Sequence, residues 1–416
     1  MAQAFKFIHA SDFHLDQPIR GLAELPIHLK SVLANAPYDS ARKVFDLSIS
    51  ERVDFVLLSG DLFDLSCSGP RPAAFLLSQF ERLADKGIEV YWCSGSVDSI
   101  DRWPTSVELP DNVVTFSTSV LEDVNHRRDG KTIANIYGIG YDEKRTTAVD
   151  FITDSEDVFS IGIAHGEFDS ATMPFDEIRY WALGGRHKST KLEKPGSLVA
   201  YPGTPQGRTP RESGTFGCNL CRVDANGKLR VQSVETDTVR WLPQKLSIHE
   251  SITDVDIKNV FSDRALKLVS DNSDQTLLVH WNLSTTGDFN PSLRRRENTS
   301  RLLDWLRDEF GRGESGLWST QVTIDPPTTL PTSWYEEDTI LGEYLRSVGR
   351  YQSDESLNLS LHEYIPVSVE NGELSGVARV SSERRNSTLR QAALVGVEYL
   401  GIDKEVGDIA NEKIND

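Results

Sequence analysis

The chain has 416 residues, 44 basic and 63 acidic side chains, a formal charge of −19 and 38% hydrophobic residues. That length is too great for one compact core, so two or three domains are expected, and the apolar and charged fractions are ordinary for a globular protein. No apolar run is long enough to span a bilayer, and balances of −8 over residues 1–240 and −11 over residues 241–416 exclude bulk charge as the means of gripping nucleic acid.

Met1 to Ile8 has no charged leader followed by a long apolar stretch and a cleavage site. It is expected to open a strand, and a cytoplasmic location is expected with it. Over residues 1–205 one design repeats: a short apolar, β-prone run ends, and polar, metal-competent residues follow at once. Phe5 to Ala10 leads into Ser11-Asp12-Phe13-His14, and Val53 to Ser59 into Gly60-Asp61-Leu62-Phe63-Asp64. Ile88 to Cys93 leads into Ser94-Gly95-Ser96-Val97-Asp98, Phe159 to Ala164 into His165-Gly166, and Tyr180 to Leu183 into Gly184-Gly185-Arg186-His187. Continuous apolar runs suit strands buried on both faces. Helical patterns over Ala41–Glu51 and Pro72–Lys86 fill the gaps, and such alternation predicts an α/β domain with its site at the carboxyl ends of the strands.

Cys218-Asn219-Leu220-Cys221 has C-x-x-C spacing without a second pair, so a plain strand is expected there over a redox or zinc role. A second unit is expected from about Arg240. It has strands at Thr276–Leu283 and Leu317–Ile324, and a helix at Arg301–Phe310 after the caps of Asn298-Thr299-Ser300. Trp305 is expected in its core, and Arg294-Arg295-Arg296 is expected as a solvated loop. From Pro331 the chain turns polar and helical, with helices at Asp338–Val348 and Thr388–Leu400 and an acidic tail after Gly401. The expected domains are therefore 1–240, 241–330 (a small α+β cap) and 331–416 (a helical extension).

An Asp-x-His on a tight turn offers one oxygen and one nitrogen to the same ion, and hard divalent cations such as Mn²⁺ accept that mixture. A second carboxylate after a strand can bridge two ions, which at about 3.5–4 Å separation hold both the nucleophile and the phosphate oxygens. Asp12-x-His14, Gly60-Asp61-x-x-Asp64, Gly95-x-x-Asp98, His165-Gly166 and Gly184-x-x-His187 resemble, in order and spacing, the calcineurin-like metallophosphoesterases. The opening Phe7 to Asp16 and the stretch Tyr201-Pro202-Gly203-Thr204-Pro205-Gln206-Gly207-Arg208 look most like the DNA-repair exonuclease branch, the SbcD-like nuclease subunits. The resemblance is strong over residues 5–240 and weak beyond.

The resemblance implies a two-sheet sandwich flanked by helices, carrying a capping domain. It assigns one metal to Asp12, His14, Asp61 and His187. The second metal is bridged by Asp61 and in the family takes an Asn and two His, of which only His165 is present. Ser96 stands at the Asn position, Gly185 at the other His, and Val97 where the family has its catalytic histidine. One ion, Mn²⁺ by preference, is expected over two. Arg186 is a candidate phosphate contact, His9 a buried histidine behind the site, and Asp64 and Asp98 acceptors that fix loops. The function implied is an attenuated metal-dependent phosphodiesterase or DNA exonuclease, partnered by an SMC-type coiled-coil ATPase that supplies the basic surface. Two alternatives stand beside it, a non-catalytic metal-binding subunit of such an ATPase or DNA end, and a phosphoesterase of small molecules.

Overall fold

The computed structural model describes residues 3–24, 26–103, 107–143, 158–168, 178–286, 291–312, 316–325, 330–357, 359 and 380–400. The chain divides into two compact units. The first comprises Met1–Leu242, Val269–Leu278 and Glu314–Gly316, and the second Pro243–Leu268, Val279–Gly313 and Leu317–Asp416.

The first unit is a sandwich of two six-stranded sheets. Sheet one contains β1 (Phe5–Ala10), β2 (Phe55–Leu58), β3 (Glu89–Trp92), β4 (Val113–Thr115), β11 (Gly217–Val223) and β12 (Leu229–Glu235), in the order β12-β11-β1-β2-β3-β4. Strands β1 to β4 run parallel, while β11 pairs antiparallel with β1 and β12. Sheet two contains β5 (Glu122–Arg128), β6 (Lys131–Gly138), β7 (Phe159–His165), β8 (Tyr180–Gly184), β9 (Thr190–Lys194) and β10 (Ser197–Tyr201), in the order β5-β6-β7-β8-β10-β9.

Alternation along the strands explains the continuous apolar runs. Phe7, Phe55, Leu57 and Tyr91 pack between the sheets with Ile136, Ile161, Ile163 and Tyr180. Their neighbours Ile8, Val56, Leu58 and Trp92 point the other way, onto α1 (Lys30–Glu51) and α2 (Arg71–Ala84) through Val44, Phe45, Leu76 and Phe80. Both faces of the central strands β1, β2 and β3 are therefore buried. Helix α1 starts eleven residues before the expected Ala41, with Pro37 inside it and Leu33, Ala36 and Pro37 on its buried face. Packing of that face holds a turn that proline alone would discourage. Cys218 and Cys221 lie on β11 as buried free thiols, one on each side of the sheet.

A three-stranded sheet of β13 (Val239–His249), β14 (Thr276–Thr286) and β15 (Leu317–Ile324) falls mainly in the second unit, with the first residues of β13 and β14 belonging to the first. Helix α3 (Asp254–Asp271) buries Ile257, Phe261, Ala265 and Leu268 at helical spacing, an element the sequence reading passed over. The short helix α4 (Pro291–Arg294) and α5 (Arg296–Phe310) follow, with Leu306 buried and Trp305 half-buried. Arg294 is not a solvated loop residue. Its guanidinium pairs with buried Glu250 at 2.6 Å and donates to Thr285 Oγ1 at 2.8 Å. After α6 (Thr332–Glu336), α7 (Ile340–Ser353) packs Leu341, Leu345 and Val348 against Leu389, Ala393 and Val397 of α8 (Ser382–Leu400). The acidic tail lies outside the described residues. Among the described residues no helix is long and apolar enough to cross a membrane.

Candidate metal centre

Every cluster singled out in residues 1–205 sits at the carboxyl end of a strand. Asp12 and His14 follow β1, Asp61 follows β2, Ser96 to Asp98 follow β3, His165 ends β7, and Gly185 to His187 follow β8. The turns are tight. Asp12, His14 and Asp61 have φ of 56°, 43° and 56°, a left-handed backbone that non-glycine residues adopt only where the surroundings enforce it. Here the enforcement is a ladder between loops: Asp12 N–H donates to Gly60 O at 2.9 Å, His14 N–H to Asp61 O at 3.1 Å and Leu15 N–H to Leu62 O at 2.9 Å. Asp98 completes it. Its buried carboxylate accepts from the backbone N–H groups of Asp61 (3.0 Å), Leu62 (2.9 Å) and Gly95, and from Trp92 Nε1 (3.2 Å). Burial, aided by the charge of Asp61 and opposed by those backbone donors, pushes Asp98 up to about 6. At Gly184 a Cβ would collide with the Ser59 carbonyl, so only glycine lets β8 approach the Asp61 loop.

The ladders bring five ligand-competent side chains together in two overlapping groups, Asp12–His14–His187 and Asp12–Asp61–His165. The donor atoms within each group lie within 4.8 Å of one another. Asp12 belongs to both. His14 Nε2 and His187 Nε2 face each other at 3.2 Å. Asp61 Oδ2 lies 3.4 Å from His165 Nε2 and 3.9 Å from His14 Nε2.

The charges are uneven. Burial, then the nearby Arg208 cation, depresses His14 to about 3, so its ring is neutral. Burial would also depress His165, but its hydrogen bond to Asp61 and the charges of Asp61 and Asp12 raise it to about 9. Burial likewise opposes ionisation of Asp61, yet His165, His14 and the Val97 N–H hold its carboxyl below the usual range. Burial raises Asp12. The donor set fits a divalent cation on the Asp12 side. Two imidazole nitrogens face each other beside a carboxylate, and one proton at most can lie between them.

Residues 5–188 match the calcineurin-like phosphoesterase family. A curated relative, the uncharacterized metallophosphoesterase YhaO of Bacillus subtilis, is 34% identical over 260 residues, 59% of this chain and 64% of that protein. This chain thus spans less than two thirds of that relative. The DNA double-strand break repair protein Mre11 of Saccharolobus solfataricus is 24% identical over 280 residues, 62% of this chain and 68% of that protein. Among solved structures, a dimetal phosphatase from Danio rerio aligns over 55% of this chain and 98% of its own, with 9% identity and a TM-score of 0.33.

The positions that depart from the calcineurin-like pattern do something definite. Ser96 Oγ lies 3.0 Å from both oxygens of Asp61, and Val97 N–H donates to Asp61 Oδ1 at 3.1 Å. Gly185 N–H reaches Asp12 Oδ2 at 3.1 Å. Ser96, Val97 and Gly185 therefore donate to the two carboxylates at the centre, Asp61 and Asp12. His165 Nδ1 donates to Ser59 O at 2.8 Å, and buried His9 sits behind it, 2.9 Å from Ser59 Oγ and 2.8 Å from Tyr180 Oη. Asp64 accepts from Ser66, fixing its own loop. Arg186 lies with its guanidinium 4.6 Å over the Tyr201 ring and its Nε 3.6 Å from Glu167.

The sequence reading missed Glu212. Its Oε1 lies 2.6 Å from His187 Nδ1, beside the buried Arg208 whose Nη2 is 3.6 Å away. Arg208 closes the Tyr201–Arg208 motif, and its spacing of four from Glu212 is the signal that was there to follow.

Proposed function

We propose that this chain is a metal-dependent phosphodiesterase of the DNA-repair exonuclease type that works on one divalent cation, Mn²⁺ by preference, at a reduced rate. The observation that carries this reading is the asymmetry of the centre. Both carboxylates accept hydrogen bonds, Asp12 from Ser11 and the Gly185 N–H and Asp61 from Ser96, the Val97 N–H and His165, but only the Asp12 side has two imidazole nitrogens, of His14 and His187, facing each other at 3.2 Å. A cation bound on the Asp12 side would be held by Asp12, His14 and His187, with Asp61 at its edge, and would supply Lewis acidity and an activated water nucleophile. His165 keeps its two ring nitrogens on Ser59 O at 2.8 Å and Asp61 at 3.4 Å. Val97 offers no proton where a histidine is expected, and general acid catalysis is worth about 10²–10⁴-fold.

DNA is the proposed substrate, supported by the opening and Tyr201–Arg208 motifs and by the likeness to Mre11. An acidic chain of this kind is suited to a partner that supplies a basic surface, for which an SMC-type coiled-coil ATPase is proposed. The second reading, a non-catalytic subunit of the same assembly, is favoured by one observation: Val97 and Gly185 carry neither an acid nor a ligand. The test is hydrolysis of linear DNA and of a small chromogenic phosphodiester, with and without Mn²⁺. Slow, Mn²⁺-dependent DNA cleavage is expected. No cleavage of either substrate at saturating Mn²⁺ favours the subunit, and cleavage of the small ester alone favours a small-molecule phosphoesterase.

A further inference from the structure

His187 differs from the other ligands in how it is held. Its side chain is 41% exposed, against 7% for His14 and 3% for His165, so packing does not fix its ring. Glu212 does. The Glu212 carboxyl is itself immobilised: Oε2 accepts from the backbone N–H groups of Arg208 at 2.7 Å and Thr209 at 3.1 Å, and Glu212 N–H closes the turn onto Thr209 O at 2.9 Å. Apart from the Thr209 hydroxyl at 3.5 Å, its neighbours on this side are obligate donors, two backbone N–H groups and the Arg208 guanidinium, and they hold it as an accepting carboxylate. The 2.6 Å contact with His187 Nδ1 therefore requires the hydrogen to sit on Nδ1. Arg208 Nη2, 3.2 Å from the same nitrogen, then has no lone pair there to donate to and acts as a neighbouring cation. In the neutral ring a hydrogen on Nδ1 leaves the lone pair on Nε2, which faces His14 Nε2 3.2 Å away.

We infer that Glu212 is the positioning residue of the centre: it locks the tautomer and orientation of His187, so that Nε2 is presented to the Asp12 side before any ion arrives. Hydrogen-bonded carboxylates behind metal-binding histidines act in this way, and their loss costs about 10–100-fold in metal affinity. The inference rests on the one-ion reading above for its consequence, but not for its geometry.

The test uses the full chain. In metal-free wild type, nitrogen-15 correlation spectra of the histidine rings, with His187 assigned by its loss in His187→Gln, should show Nδ1–H. Glu212→Gln places an amide NH₂ against either His187 or the two backbone donors, so the Nδ1–H form should lose its dominance and Mn²⁺ affinity should fall about 10–100-fold. Glu212→Asp keeps an acceptor but withdraws it, and affinity should fall between the two. A wild-type ring protonated at Nε2 overturns the inference whether or not Glu212→Gln folds. So does a folded Glu212→Gln that binds Mn²⁺ as wild type does. Wild type that binds no Mn²⁺ would sink the one-ion reading, while the tautomer measurement would still decide the role of Glu212.

Discussion

The two sides of the centre are built on the same strand ends yet satisfy their polar groups in different ways. On the Asp12 side, His14 and His187 turn nitrogens towards each other beside a carboxylate that accepts from Ser11 Oγ at 2.6 Å and from the Gly185 N–H at 3.1 Å. On the Asp61 side, a serine hydroxyl, a backbone N–H and an imidazolium surround one carboxylate. Buried charge demands a partner, and the partner can be an ion or a set of donors. The difference teaches that one set of strand ends can place two facing imidazoles beside one carboxylate and pair the neighbouring carboxylate with a single imidazole.

The sharpest way to break this comparison is to reverse it. Ser96→Asn with Val97→His returns an amide ligand and a proton donor to the Asp61 side, and phosphodiester hydrolysis should rise by about 10²–10⁴-fold. Unchanged turnover in a folded double variant would mean that the departures are not what limits the centre. Gly185→His is left out because Gly185 has φ of 98° and a Cβ there would lie 3.2 Å from Gly166 N and His165 Nε2.

Next in size is removal of the shared carboxylate. Asp12→Asn keeps the shape but removes a charged ligand, and Mn²⁺ affinity measured by calorimetry should fall by more than about 100-fold, beyond the loss typical of a supporting residue. A milder loss than Glu212→Gln would show that Asp12 is not a ligand.

The Asp61 side predicts a pH dependence in the metal-free protein. The folded pKa of His165, about 9, lies above its ordinary 6.5, so the pair with Asp61 contributes stability that is fully present below 6.5 and is lost as pH rises through 9. Its size is on the order of a few kcal/mol, and the depressed Asp61 records the same interaction, not a second one. Thermal unfolding in chelator from pH 6 to 10 should show the loss, and His165→Gln should flatten it. An equal slope in that variant would assign the effect elsewhere. The smallest effect is expected of Ser96→Ala, which removes one donor from Asp61. Ser96 is exposed, so water replaces its hydroxyl and stability should change by less than about 1 kcal/mol.

Much of this was legible in the sequence because it is local. A buried strand announces itself by an unbroken apolar run and its site by the polar residues just after it, which is how Asp12, His14, Asp61, His165 and His187 were found. What escaped depends on contacts between distant segments. Glu212 gains its meaning only when the turn after Arg208 meets the end of β8. Arg294 looked like part of a basic run until Glu250, 44 residues away, turned it into a buried ion pair. The start of α1 was hidden by Pro37, whose local preference was outweighed by packing. Helix α3 is rich in Asp and Lys, and its four buried residues are spread thinly through 18 positions.

The most direct test of the one-ion centre is metal stoichiometry. The purified full chain is stripped with chelator, dialysed against Mn²⁺ and analysed for metal and protein. One ion per chain, abolished in Asp12→Asn and retained in His165→Gln, is the result predicted here. Two ions per chain in wild type, or loss of the single ion in His165→Gln, would contradict it.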